Sequence, residues 1–472
     1  MTQTTITPSS MSRFFTIPEL VATIFSAAAP LVWKHVQGVH HVLALLPGVS
    51  VSRFVNRSVG IIKIHIAEID ILVADRFKLY APFVKSLNVG GHYQVDNCDT
   101  LLNLSRQCVL LPNLSSLSQD FGCYNCNWDM VLWVRLFASE SLIHTWTVPS
   151  DPRRTPRISL NAFDLILQWL LEHCPRLQSI SLFPSRAPQC TGRTGHIMRL
   201  HGVYRTKEFD AYLTPDLMIR EIACSWDVLE NRKTLMAMGK LLRLERLVVY
   251  HESYYDDHDS SEGSEAVLSQ TPLPSDAFSA LRSLSIYAYS DEYINLTLDQ
   301  CSLSRNIVYL ELNIFADDTY KPLAEHSFLS RLSGLHCLKH LVIKFSWSPY
   351  DPSSQAIDDH EKLYEAFHQL QLENLYISHL DLDFAVLPGH LNSMWSRIID
   401  LRLPGTEVGL NALPVFALLP ALCHLTVRLS LDITSLGDTI PVVHTGERLH
   451  TLEGSYGSTA RYEKKDARRI VQ

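Results

Sequence analysis

Apolar positions recur along this chain in a short phrase: an apolar residue, two variable positions, another apolar residue, one variable position, a third apolar residue. It reads Leu177, Ile180, Leu182; Ile219, Ile222, Cys224; Leu244, Leu247, Val249; Leu281, Leu284, Ile286; Ile307, Leu310, Leu312; and Leu338, Leu341, Ile343. It continues through Leu372, Leu375, Ile377; Ile398, Leu401, Leu403; and Leu422, Leu425, Val427, with weaker copies at Phe83, Leu87, Val89 and at Leu449, Leu452. From Ile219 onward the starts lie between 24 residues apart (Ile398 to Leu422) and 37 (Leu244 to Leu281). Such spacing is expected when each unit is one strand plus a helix or loop that cannot bury its apolar face alone. The two-residue period of a strand puts Leu341 and Ile343 on one face and His340 and Val342 on the other, so the leucine face is the predicted core. Helical rhythm precedes several phrases. Asn161 to His173 sets Phe163, Ile166, Leu167, Leu170 and Leu171 at three-to-four spacing, with Ser159 or Asn161 as cap and Pro175 as stop. Similar joints are predicted at Glu361 to Leu372 and at Leu413 to Leu422, where Pro420 supplies the break.

The pattern resembles a leucine-rich-repeat array with loose spacing. It predicts an α/β fold: an irregular solenoid whose stacked strands form a curved sheet, with helices or loops on the convex side. The residues flanking each inward leucine then share the outward face. That register assembles Arg246, Tyr250, Tyr287, Tyr309, His340, Lys344, Tyr376, Arg402 and Arg428 as candidate partner-binding residues, with Glu311, Asp400 and His424 beside them. Tyrosine and arginine are frequent interface anchors, so this face is the expected seat of an unidentified target protein; a merely solvated strand face is the alternative. Glu311→Ala, on the outward side, is expected to cost little.

One segment breaks the rhythm. His251 to Glu265 is acidic and polar, with too few apolar residues to pack, and reads as a loop thrown out between two repeats. Phosphorylation of Ser260 and Ser261 for docking a basic partner is the second reading. The domain plan is therefore a disordered N-terminus (1–12), a short helical region (13–46), the repeat body (47–455) with an acidic loop at 251–275, and a charged tail (456–472). A monomer is expected.

The length of 472 residues suits one repeat body as well as it suits several ordinary domains. A net charge of −8 and no basic run before Lys464, Lys465, Arg468 and Arg469 give no footprint for nucleic acid. No stretch approaches the roughly 20 apolar residues of a membrane span. Leu20 to Trp33, ending near Ala27, Ala28 and Ala29, has the wrong charge balance for a secretory signal, so an intracellular location, cytoplasmic or nuclear, is expected. Ten cysteines are scattered singly except Cys123 and Cys126. Cysteines such as Cys224 and Cys423 sit inside apolar phrases and read as small hydrophobes in a reducing compartment. The Cys123/Cys126 pair reads as two packed thiols; a metal site there would need further ligands, for which Cys98 and Cys108 are candidates. Phosphate-cradling glycine motifs, H-E-x-x-H and G-x-S-x-G are all missing from the sequence, and the 21 histidines do not group by ligand spacing. Neither catalysis nor a cofactor is expected.

The N-terminal region carries a second resemblance. Phe15, Thr16, Ile17, Pro18, Glu19, Leu20, Val21, Ala22, Thr23, Ile24 opens a short helix with proline near its start, and Ala29, Pro30, Leu31, Val32, Trp33, Lys34 closes with an apolar-apolar-tryptophan phrase. Followed by repeats, this order resembles the fungal F-box and leucine-rich-repeat proteins. The resemblance implies a substrate receptor in which Ile17, Pro18, Leu20, Ile24 and Trp33 contact a Skp-type adaptor of a cullin-RING ubiquitin ligase while the repeats hold the target. The alternative is an interaction scaffold without that coupling. Only Phe25 to Val32 separate Ile24 from Trp33, less chain than the family's three-helix bundle needs. The short span reads as an altered exon joint or as a lost domain.

Overall fold

The computed structural model describes residues 28–56, 59–67, 75–121, 127–149, 158–182, 184–185, 211–251, 273–315, 323–345, 359–378, 391, 393–409, 413–416, 418–430 and 451–454. Two compact units divide the chain, Met1–Ile222 and Ala223–Gln472.

In the first unit, five parallel strands pair in the order β1 (His35–Gln37), β4 (Ser86–Gly90), β6 (Ser116–Phe121), β7 (His144–Pro149) and β9 (Ser179–Leu182). The register stacks Val36, Leu87 and Leu117 in one inward row. Those three side chains are buried, as are Val134, Leu136 and Phe137 of the helix Asn127–Phe137 and Leu167 and Leu170 of the helix Leu160–His173. A three-stranded sheet stands beside these strands. Its β2 (Val49–Asn56) and β3 (Val59–Ile66) form an antiparallel hairpin, and β5 (His92–Asp96) adds parallel to β3. A two-residue bridge joins β8 (Ile158–Ser159) to β10 (Pro184–Ser185).

β11 (Glu221–Ser225) holds residues of both units. In the second unit, β12 (Arg246–Tyr250), β13 (Ser283–Ala288), β14 (Tyr309–Ile314), β15 (His340–Phe345), β16 (Asn374–Ile377), β17 (Asp400–Gly409), β18 (His424–Ser430) and β19 (Thr451–Gly454) are hydrogen-bonded in sequence order, all parallel. The register runs Leu247, Leu284, Leu310, Leu341, Leu375, Leu401, Leu425 and Leu452, one residue from each phrase. The first seven are buried. One parallel strand per phrase, with its leucines stacked inward, is a leucine-rich-repeat architecture.

Several details depart from the sequence reading. In the repeat at β4 the first apolar position is Val84, which is buried, and not Phe83, which is half-buried in the turn Ala81–Phe83. The predicted helix at Glu361 to Leu372 is His360–Phe367, capped by Asp359, whose side chain accepts from the backbone N–H groups of Glu361 and Lys362. The one at Leu413 to Leu422 is a single turn, Leu413–Phe416. β6 and β7 are repeats that the phrase did not reveal, and the hairpin β2–β3 is outside the repeat plan altogether. Among the described cysteines, Cys337 is exposed and Cys423 half-buried. Cys123 and Cys126, residues 1–27, the acidic segment 252–272 and the tail 455–472 lie outside the described residues. Among the described residues, no helix is long and apolar enough to cross a membrane, and no three His, Cys, Asp or Glu side chains gather as metal ligands.

Candidate interaction surface

Parallel pairing without a register shift from β12 to β16 turns sequence alternation into rows across the outward face of the second unit. One row is Arg246, Ser283, Tyr309, His340, Asn374 and Asp400; the next is Val248, Ser285, Glu311, Val342, Tyr376 and Arg402; the third is Tyr250, Tyr287, Asn313 and Lys344. Eight of the nine candidate residues therefore sit on adjoining strands in these three rows. Arg428 stands on β18 opposite Glu407, beyond the irregularity between Leu403 and Glu407.

The face is not uniformly open. On β15 to β17 the outward side chains are half-buried or exposed, whereas Val248, Ser285, Glu311 and Asn313 on β12 to β14 are buried. Glu311 is the hub of the closed part. Its Oε1 accepts from Lys344 Nζ at 2.6 Å, and its Oε2 accepts from the Tyr309 hydroxyl at 3.2 Å and from Ser285 Oγ at 3.4 Å. Burial alone would raise the carboxyl pKa; the hydrogen bonds it accepts, that of Lys344 foremost, together with the Lys344 charge outweigh burial and hold the group below the usual carboxylate range. Glu311 is thus an ionised, buried acceptor, and the expectation that it could be removed at little cost is overturned.

Aromatic rings fill the ground around it. Tyr250 and Tyr287 stack with centroids 4.4 Å apart, and Tyr287 lies 6.3 Å from Phe315. Burial, followed by the Glu311 charge, pushes the Tyr309 hydroxyl up to about 12, so it remains a neutral donor at any physiological pH. Toward the open end, Tyr309 and His340 have centroids 6.4 Å apart, and His340 Nδ1 lies 2.5 Å from the Asn374 side-chain amide. Arg402 reaches Asp400 through two nitrogens, at 3.0 and 2.8 Å. Ser283, Ser285, Asn313 and Asn374 belong to the same surface and were not singled out from the sequence, although the same register that selected Tyr309 and His340 selects them.

Of the five candidate adaptor residues, Ile17, Pro18, Leu20 and Ile24 lie outside the described residues. Trp33 is half-buried and stacks on Tyr80 with centroids 5.2 Å apart. Leu31 and Val32, just before it, are 77% and 68% exposed. His35–Gln37 follows as β1, paired to β4.

No protein-family model and no curated protein matches this sequence. Among solved structures, the chain is similar to an internalin from Listeria monocytogenes at 11% identity, over 84% of this chain and 87% of that one, with a TM-score of 0.34. It is also similar to the chain of a TLR13–ssRNA13 complex at 13% identity and a TM-score of 0.33. That match takes in 82% of this chain and 54% of the other, so the chain spans about half the length of that protein.

Proposed function

We propose that this chain is a non-catalytic protein-interaction scaffold whose partner is held by the outward face of β12 to β18. The observation that supports this reading is the in-register gathering of Tyr250, Tyr287, Tyr309 and Tyr376 with Arg246, His340, Lys344 and Arg402 on consecutive strands. A solvated strand face has no need of four tyrosines. Their rings supply large contact area at small entropy cost, and the hydrogen bonds of Glu311 and Asp400 hold their neighbours in place. The test is affinity purification from cells with the wild-type chain and with a Tyr309→Ala/Tyr376→Ala double variant whose melting shows it folded. The double variant is expected to lose at least about tenfold of the specifically recovered partner, the effect of removing two interface anchors. If recovery is unchanged while deletion of residues 252–272 abolishes it, recognition runs through the acidic segment and the strand-face assignment fails.

The finer reading makes this scaffold the substrate receptor of a Skp-adaptor cullin-RING ubiquitin ligase, with Ile17, Pro18, Leu20, Ile24 and Trp33 as the adaptor contact. The F-box-like order of the N-terminal phrases supports it, and so do the apolar Leu31 and Val32, exposed next to Trp33, which a helical partner would bury. A pull-down with a Skp-type adaptor is expected to capture the chain and to weaken on Leu20→Asp. No capture by the wild-type chain would remove the ligase coupling and leave the scaffold standing.

A further inference from the structure

In the first unit, the phrase fails at two neighbouring strands. β6 reads Leu114, Leu117, Gln119 where the other repeats end on an apolar residue, and β7 reads Leu142, Thr145, Thr147. The register sets Gln119 beside Val89 and Thr145 beside Leu117, so both strands carry a polar residue at an inward position of the stack. Gln119 is only 5% exposed, and neither its amide nitrogen nor its amide oxygen has a hydrogen-bond partner; the Ser181 hydroxyl, also buried, has none either. Both residues line one cavity of about 20 Å³, together with Thr145 and the apolar Val134, Leu167 and Leu170.

We propose that this cavity is a binding site for a single water molecule, held by the Gln119 amide and the Ser181 hydroxyl. The volume exceeds the roughly 10–15 Å³ that a cavity needs to hold one water. The chemistry selects the occupant. Among the described residues, no carboxylate lines the cavity to hold a cation and no cationic side chain lines it to hold an anion, so a neutral ligand suits it. It must donate to the amide oxygen and accept from the amide nitrogen, which water does whichever way the amide is turned. A wholly apolar cavity of this size would stay dry; a buried amide unpaired at both ends is the group that buried waters ordinarily satisfy. The site also accounts for two of the three breaks in the phrase, because Gln119 and Thr145 both line the cavity.

The test uses the full chain. A crystal structure is expected to show one ordered water within about 3.5 Å of both Gln119 and Ser181, and ¹⁷O relaxation dispersion in H₂¹⁷O should report a long-lived water. Gln119→Leu is expected to lose that contribution, the count of long-lived waters falling by one, and to melt no lower than the wild type. Ser181→Ala, the gentler change, should shorten the residence time. A cavity without density whose Gln119 amide is bonded to protein groups would overturn the proposal. So would a relaxation amplitude that is the same in wild type and Gln119→Leu.

Discussion

Replacing Leu310 by Asp is expected to destabilise the second unit by about 4 kcal/mol or more, through burial of an unpaired carboxylate or the cost of protonating it. Leu310 is fully buried and lies between Leu284 and Leu341 in the inward row, with no polar group on either neighbour to receive it. The next residue gives the contrast. Glu311→Ala removes the acceptor of the Tyr309 and Ser285 hydroxyls but leaves Lys344, with a 44% exposed side chain, free to turn to water. Its loss is therefore about 1–2 kcal/mol, the usual consequence of orphaning one buried and one half-buried hydroxyl donor. It also carries a pH signature: a carboxyl held below its ordinary value contributes stability above about pH 4.5 that is lost as the pH falls through its folded value. Thermal melts of the two variants, near neutrality and near pH 4, check both. Equal losses would mean that the register of β14 is wrong.

The inward rows were legible in the sequence because each rests on three apolar residues within six positions, a local pattern that the strand period converts directly into a buried face. β6 and β7 escaped for the same physical reason in reverse: Gln119, Thr145 and Thr147 remove the apolar contrast on which the pattern depends. The hairpin had a local signal that the repeat reading passed over. Ile62, Ile64 and Ile66 alternate with Lys63 and His65, a two-residue period whose inward residues Ile64 and Ile66 are fully buried. The membership of the outward face could be read from the register, but its energetics could not. Whether Glu311 is solvated or buried depends on Tyr309, Ser285 and Lys344, and two of those three come from other strands at separations of 26 and 33 residues. Similar non-local bonds hold Asp291 to His326, at 2.6 Å across 35 residues, and no spacing rule within one segment announces them.

Gly38→Ala is expected to cost the first unit about 2–3 kcal/mol, since the backbone conformation alone is open essentially to glycine. Gly38 links β1 to the helix Val39–Leu43 with φ +92° and ψ 118°, and its N–H donates to Asn88 O at 2.8 Å. An added Cβ would stand 2.6 Å from His40 Cε1 and 2.8 Å from His40 Nδ1. The ring has little freedom to retreat. Arg53 on β2 donates to its Nε2 at 3.1 Å, and its Nδ1 lies 3.3 Å from the hydroxyl of Tyr93 on β5, which in turn donates to Gly90 O. With the Tyr93 proton committed to Gly90, Nδ1–H is the donor and Nε2 the acceptor, so His40 must be neutral in the folded chain. Burial and then the nearby charges of His41 and Arg53 lower its pKa from 6.5 to about 4. The unfolded chain takes up a proton over that interval and the folded chain does not. The histidine's contribution to stability is thus complete above pH 6.5 and falls as the pH drops toward 4. His251 in the second unit, buried and held down to about 3, adds a slope of the same sign. Gly38→Ala should lower the melting temperature at about pH 7.5 and also reduce, without abolishing, its further fall between about pH 6.5 and 4.5. A Gly38→Ala chain that melts like the wild type at both ends of that range would show that the Arg53–His40–Tyr93 chain of hydrogen bonds does not hold the hairpin sheet to the first repeat.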